Sequence, residues 1–244
     1  MDKATGKVVW QCNDPGTEIL HGQWSSPAYG LIDDTPQVVF GGGDGRCYGY
    51  HAKTGGLLWK FDLNPEDAVW GRGGRGGTKL NIIATPVVHE NMVFLGGGND
   101  PDGSGPGRFY AMDATMRGDI SVKGKLWHVG GDDFGRTVST AAIVDGLLYA
   151  ADSGGFLHCF DVKSGRRHWR YDLGSGVWGS PLVADGKIIL GNIDGDLHVL
   201  RHSKKLQKLA VNQMGGSIYT SPVAAHGTLY IATSRRLYSI GTTH

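Results

Sequence analysis

The residues best suited to binding an anion lie in the segment GRGGRGGTK, residues 71–79. Arg72, Arg75 and Lys79 are separated there by glycines and one threonine. Because glycine adopts positive φ easily, backbone N–H groups and guanidinium groups can converge on one carboxylate or phosphate. The Gly-Lys-Ser/Thr ending of a phosphate-binding P-loop is absent. Two interpretations stay open: an anion-binding loop, or a flexible solvated loop.

A second candidate site is aromatic. Trp24, Trp178 and Tyr219 each precede a Ser-Pro step by two residues. Aromatic side chains beside a few polar groups are typical of small-ligand and peptide sites, and His21 and Arg136 are polar residues near equivalent positions. The alternative is that these aromatic rings fill the core. None of the polar neighbours pairs a nucleophile with a base.

A weak calcium candidate is the segment NDPDGSGPG, residues 99–107. It places oxygen ligands at Asp100, Asp102 and Ser104 with alternate spacing. The closing glutamate and flanking helices of an EF-hand are missing, which favours a glycine-rich hairpin turn. HExxH and GxSxG motifs are also absent from the sequence, so zinc and hydrolase chemistry have no support. We predict no catalytic residues and no metal.

Composition excludes several classes of partner. The 24 basic and 23 acidic residues give a net charge of +1, which favours neither nucleic acid nor an anionic membrane surface. Neither a membrane span nor a signal peptide is recognisable in this chain. Cys12, Cys47 and Cys159 are far apart, so they indicate no disulfide framework, and Cys47 and Cys159 lie in apolar runs where buried free thiols are expected.

All of these candidates are set in a repeat. Five Ser/Thr-Pro or Thr-Ala steps open short apolar runs at Ser26, Thr85, Thr140, Ser180 and Ser221, with spacings of 59, 55, 40 and 41 residues. The unit from Ser180 reads as strand, Asp185-Gly186 hairpin turn, strand, turn and strand, and the preceding unit adds a fourth strand with Trp169. Such units bury their faces only by stacking on neighbours.

The repeat predicts an all-β fold, a β-propeller of about five four-stranded antiparallel blades. Four tryptophans close the units, and we expect each to dock against a neighbouring blade rather than to hold a planar cofactor: Trp10, Trp59, Trp127 and Trp169. The chain begins on an outer-strand motif and ends without one, so the N-terminal strand is expected to complete the last blade. Residues 1–244 then form a single domain; the alternative is the C-terminal part of a longer propeller.

The phrases DKATGKVVW, HAKTGGLLW and DVKSGRRHW resemble the tryptophan-docking repeat of the pyrroloquinoline-quinone (PQQ)-like propeller family. The family's quinoprotein dehydrogenases hold PQQ and calcium and have two adjacent cysteines, which this sequence lacks. The resemblance is therefore closer to the non-catalytic, BamB-like members. It implies a periplasmic location and no cofactor.

The function predicted from the sequence is a non-catalytic binding or scaffold module. Its partner would be a protein, a peptide or a small anionic ligand. The alternative is a PQQ-dependent alcohol-type dehydrogenase, or a fragment of one, with PQQ and calcium as cofactors. A lectin-like propeller that binds a ligand at Trp24, Trp178 and Tyr219 is a third interpretation.

Overall fold

The computed structural model describes residues 1–69, 77–98 and 106–241. These residues form twenty β-strands in five sheets, and no helix. The predicted all-β propeller fold is confirmed. The chain divides into two compact units, Met1–Phe134 and Gly135–His244, which we describe in turn. The prediction that residues 1–244 form a single domain stays a prediction.

The first unit contains two sheets. One consists of β1 (Ala28–Ile32), β2 (Thr35–Gly41), β3 (Arg46–His51), β4 (Leu57–Asp62) and β8 (Gly118–Asp119), in the order β1-β2-β3-β4-β8. The other consists of β5 (Val87–His89), β6 (Met92–Gly98), β7 (Pro106–Asp113) and β9 (Lys125–Gly135), in the order β5-β6-β7-β9. The short strand β8 follows β7 in the chain but pairs in parallel with β4 of the first sheet.

The second unit contains three antiparallel sheets. The first consists of β10 (Ala142–Val144), β11 (Leu147–Ala151), β12 (Phe156–Asp161) and β13 (Arg167–Asp172). The second consists of β14 (Leu182–Ala184), β15 (Lys187–Gly191), β16 (Asp196–Arg201) and β17 (Lys208–Gln213). The third consists of β18 (Val223–Ala225), β19 (Thr228–Ala232) and β20 (Leu237–Ile240).

The repeat predicted from the sequence sets where the strands begin. Every innermost strand starts at the residue after the Pro or Ala of an opening step, at positions 28, 87, 142, 182 and 223. The predicted Asp185-Gly186 hairpin is present: both residues have positive φ, at 49° and 65°, and Ala184 pairs with Lys187 across the turn. This is the turn geometry that suits a two-residue hairpin.

A second turn, between the second and third strands of a blade, is built around a buried polar side chain. The position is held by Asp44, Asp152 and Asn192. Asp44 accepts a hydrogen bond from the Tyr48 hydroxyl at 2.5 Å, while the Asn192 side-chain oxygen accepts from the Asp196 main-chain N–H at 2.9 Å. These bonds satisfy donors that the sharp chain reversal would otherwise leave buried without partners.

Each unit has its own apolar core. In the first unit, fully buried residues from both sheets, including Trp59, Phe61 and Met112, form one cluster. In the second unit, Tyr149, Leu157 and their neighbours form a cluster with residues of the next sheet, and a smaller cluster surrounds Ile218 and Ile231. The cores therefore lie between stacked sheets, as the repeat requires.

The last sheet differs from the prediction. Among the described residues it has three strands, β18 to β20, and residues 1–27 contain no strand. Trp10 instead lies against the first sheet of its own unit, where its Nε1 donates to the Ala52 carbonyl at 2.9 Å and its ring contacts Tyr50 at 6.1 Å. This corrects the expectation that the N-terminal strand completes the last blade. The indole is held by one hydrogen bond and an aromatic contact, and neither requires strand pairing.

Candidate functional site

Trp178 and Tyr219 form an exposed aromatic pair in the second unit. Their ring centroids are 6.1 Å apart and the ring planes meet edge to face, at 86°. The two side chains are 49% and 52% exposed. The structure therefore brings together two of the three aromatic residues proposed from the sequence and leaves their rings accessible.

Short contacts between successive innermost segments hold this pair in place. The main-chain N–H of Ser180 donates to the Ser221 hydroxyl at 2.8 Å, and that of Thr140 donates to the Ser180 hydroxyl at 3.0 Å. A Cβ at Gly179 would lie 2.4 Å from the Thr220 carbonyl oxygen, so only glycine allows this approach. Because the segments lie so close, the aromatic residues that precede them face each other.

The third predicted aromatic residue, Trp24, lies in the first unit. It is 55% exposed, and its ring lies 5.8 Å from the imidazole of His21. The adjacent Gln23 is anchored, because its side-chain oxygen accepts a hydrogen bond from the Gly43 N–H at 2.6 Å. Trp24 and His21 thus form a small exposed pair on an anchored segment.

The charged candidates are placed differently. Arg72 and Arg75 lie outside the described residues, as do Asp100, Asp102 and Ser104. Lys79 forms an ion pair with Glu18 at 3.3 Å, and only 14% of its side chain is exposed. Arg136 is 3% exposed, and its carbonyl accepts hydrogen bonds from Ser153. Lys79 and Arg136 are therefore engaged in the fold.

The four tryptophans that close the repeat units pack within their own units. Trp59 is fully buried and donates to the Gln37 side chain at 2.8 Å. Trp169 donates from Nε1 to the Ser203 carbonyl, in the turn after β16 of the next sheet, at 3.0 Å. Trp127 stacks on Phe109, with 6.1 Å between centroids. The burial of Trp59 and Trp169 removes their ring faces from any planar ligand.

The cysteines are free thiols, and two of them are buried as predicted. Burial raises the pKa of Cys47 well above its ordinary value and that of Cys159 to about 12, so both are protonated at neutral pH. Across residues 1–69, 77–98 and 106–241, no group of three His, Cys, Asp or Glu side chains could hold a metal ion. In the same ranges, no helix has the length and apolar character needed to span a membrane.

A polar cavity in the first unit was not predicted. It has a volume of about 350 Å³ and lies where the end of β4 meets β7 and β9, with Arg108, Lys125 and His128 on one wall. Arg108, Lys125 and His128 lie on strands β7 and β9, outside the loop and strand-entry segments that the sequence motifs indicated. The spacing of Arg108 and Tyr110 was a signal for one of them, because residues i and i+2 of a strand share a face; Lys125 and His128 are three residues apart on β9 and give no such signal.

The sequence is similar to known proteins over part of its length. Residues 119–205 match the family described as "Outer membrane protein assembly factor BamB". Over 195 residues the chain is 25% identical to an outer membrane protein assembly factor BamB from Kangiella koreensis, covering 68% of this chain and 48% of the relative. The dehydrogenase subunit of a quinone alcohol dehydrogenase from Gluconacetobacter polyoxogenes is 29% identical over 116 residues, covering 47% of this chain and 15% of the relative. The chain spans about half the length, or less, of these curated relatives.

A solved structure shares the fold. BamB from Moraxella catarrhalis matches with a TM-score of 0.69 and 18% identity, covering 96% of this chain and 63% of that chain. At this identity the likeness shows the fold alone. Together with the sequence matches, it confirms the predicted resemblance to the PQQ-like propeller family, closer to the assembly factors than to the quinoprotein dehydrogenases.

Proposed function

We propose that this chain is a non-catalytic propeller that binds a protein partner and acts as a scaffold in outer membrane protein assembly, in the periplasm. The observation that carries this proposal is the exposed pair of Trp178 and Tyr219. Tryptophan and tyrosine are enriched in the energetically dominant positions of protein interfaces. A contact surface centred on this pair is the function that the described residues support best.

The backbone beneath the pair supports this function. Trp178 and Tyr219 project from segments joined by the bond between Ser180 and Ser221, so the backbone that carries them is already positioned when a partner binds. Pre-organised contact residues reduce the entropic cost of association. The sequence matches also support a scaffold function, because the match to the assembly factor covers more of the chain than the match to the dehydrogenase.

The enzyme alternative rests on the weaker match to the quinone alcohol dehydrogenase. Its cofactor site would need two adjacent cysteines, whereas Cys47 and Cys159 are buried singly, one in each unit. These residues do not fit PQQ, and we derive no step through it. The chain is proposed to act without a cofactor.

The scaffold proposal is tested by photo-crosslinking in the source cells. A benzophenone amino acid is introduced at Trp178 or at Tyr219, and a matched control carries it at Tyr29, which is exposed in the first unit. We expect crosslinks from positions 178 and 219 to a protein of the outer membrane assembly machinery, and none to that protein from position 29. Equal crosslinking from all three positions, or no crosslink to such a protein, would overturn the proposal.

A further inference from the structure

The cavity of about 350 Å³ in the first unit has the size of a small-ligand site. We call it the β4–β7–β9 cavity, after the strands that supply Phe61, Arg108 and His128. Its floor is aromatic: Phe61 and Tyr110 meet edge to face with 5.3 Å between centroids, and both are buried. A ligand entering here meets aromatic rings with charged groups beside them.

One wall of the cavity carries positive charge that forms no ion pair with a carboxylate of the described residues. Arg108 donates from Nη1 to the Tyr110 hydroxyl at 3.3 Å, and its other N–H groups have no acceptor among residues 1–69, 77–98 and 106–241. The His128 ring stacks on Tyr110, with 5.3 Å between centroids and 15° between planes. Within the described residues, no carboxylate forms an ion pair with Arg108, Lys125 or His128.

The two carboxylates that line the cavity, Asp62 and Glu66, do not balance the positive charge of this wall. Asp62 is already paired, since its Oδ2 accepts from Arg46 Nε at 3.1 Å and its Oδ1 accepts from Asn64 Nδ2 at 2.7 Å. Glu66 is the other carboxylate of the lining and is exposed. The charges that remain are those of Arg108 and Lys125, with His128 when protonated, against one carboxylate.

The pKa of His128 reflects both its desolvation and its charged neighbours. Its pKa lies below the ordinary value, first because of burial and then because Lys125 and Arg108 repel a third positive charge. Tyr110 supplies an uncharged ring to this environment, while Glu66 and the Asp62–Arg46 pair are the other charged groups of the lining and its neighbours. An anion placed beside Arg108 and Lys125 would relieve the repulsion that these two groups exert on a protonated His128.

We propose that the β4–β7–β9 cavity binds a small organic carboxylate. The Arg108 guanidinium and the Lys125 ammonium would hold the carboxylate, and the stacked rings of Tyr110 and His128 would contact its carbon skeleton. Carboxylates occur in free metabolites and in acidic peptide side chains. The cavity therefore specifies the chemical group of the ligand and not its source. This site lies in the first unit and does not depend on the scaffold proposal.

The test measures binding by calorimetry and follows the His128 ring by NMR. The probes are succinate, its neutral diamide succinamide, and an acetylated, amidated Asp-Glu dipeptide. We expect succinate to bind and to shift the His128 ring resonances, and succinamide to do neither. The dipeptide distinguishes the sources: tighter binding than succinate assigns the site to acidic peptides, and weaker binding assigns it to free small carboxylates.

Substitutions test which residues of the cavity bind succinate. Because Lys125 is exposed, K125M should leave the fold intact and weaken succinate binding several-fold, and R108Q should weaken it roughly tenfold or more, since it removes a charge-assisted pair. The control K53M changes an exposed lysine of the same unit outside the cavity and should bind as the parent does.

The pH dependence gives an independent readout. A bound carboxylate should raise the pKa of His128, so the affinity of the parent for succinate should rise relative to that of H128Q as the pH falls through the titration of that imidazole, while protonation of succinate itself affects both proteins equally. Equal binding of succinate and succinamide, no binding of any probe, or unchanged affinity in both K125M and R108Q would overturn the assignment.

Discussion

The imidazole of His158 and the carboxylate of Asp152 lie 2.9 Å apart, Nε2 to Oδ2, with both side chains almost fully buried. Asp152 occupies the turn between β11 and β12, while His158 lies on β12 and stacks on Phe160. The same carboxylate accepts from the main-chain N–H of Gly135 at 3.2 Å and of Phe156 at 3.3 Å. One side chain therefore ties the first residue of this unit, the turn and the third strand of this blade together.

D152A should destabilise the second unit by about 2–5 kcal/mol, because it leaves several buried donors without an acceptor. The measurement is denaturant unfolding followed by a probe within residues 135–241. The control D194A removes an exposed carboxylate from the corresponding turn of the next blade and should change the free energy of unfolding by less than about 0.5 kcal/mol. Equal effects of the two variants would show that the buried network contributes nothing.

A single thiol should react with a disulfide reagent in the native protein near pH 8. Cys12 is exposed, whereas Cys47 and Cys159 are buried with raised pKa values and stay protonated at this pH. The thiolate is the reactive form. Absorbance of the released chromophore should correspond to one thiol, and to all three after denaturant is added. Rapid reaction of all three thiols in the native protein would contradict the burial of Cys47 and Cys159.

Removal of the Trp10 hydrogen bond should loosen the turn after β3. W10F keeps most of the ring contact with Tyr50 but loses the bond to the Ala52 carbonyl, at a cost of about 1 kcal/mol. Amide exchange at residues 51–55 should accelerate, while exchange in β18–β20 should not change. W24F serves as the control, because Trp24 lies in the same unit and is largely exposed. Faster exchange in the last sheet on W10F would restore the expectation that the N-terminal segment completes it.

Incubation with PQQ and calcium should give no retained cofactor. After desalting, we expect no quinone absorbance and no alcohol-dependent dye reduction, because the adjacent cysteines of the dehydrogenase site are absent from this sequence. The quinone alcohol dehydrogenase is the matched positive control. Stoichiometric retention of PQQ with turnover would favour the enzyme alternative.

The sequence predicted the strand pattern well because the repeat encodes it locally. Pro27, Pro86, Pro181 and Pro222 mark where the innermost strands begin, since proline is tolerated at the start of a strand but not within a central one. The Asp185-Gly186 turn followed from two residues that tolerate positive φ. Such signals depend on neighbours in the chain, not on distant contacts.

The prediction was weaker where distant residues decide the outcome. The position of Trp10 depends on Tyr50 and the Ala52 carbonyl, about 40 residues away, and a local motif could not identify that partner. The burial of Arg136 and the gathering of Arg108 and His128 at one cavity also arise from packing between strands. Spacing along the chain indicates which residues share a face, but not which faces meet.

The hydroxyl groups of Ser180 and Ser221 accept main-chain bonds from the preceding blade, and each opens the strand that follows it. The hydrogen-bonded part of this junction needs a main-chain N–H, which every residue but proline carries, and one hydroxyl side chain. A repeat unit that begins with serine or threonine supplies both groups, while Gly179 and the apolar residues between the sheets supply the close packing. Tandem duplication of a unit that keeps these residues would therefore preserve the junction while the exposed residues diverge.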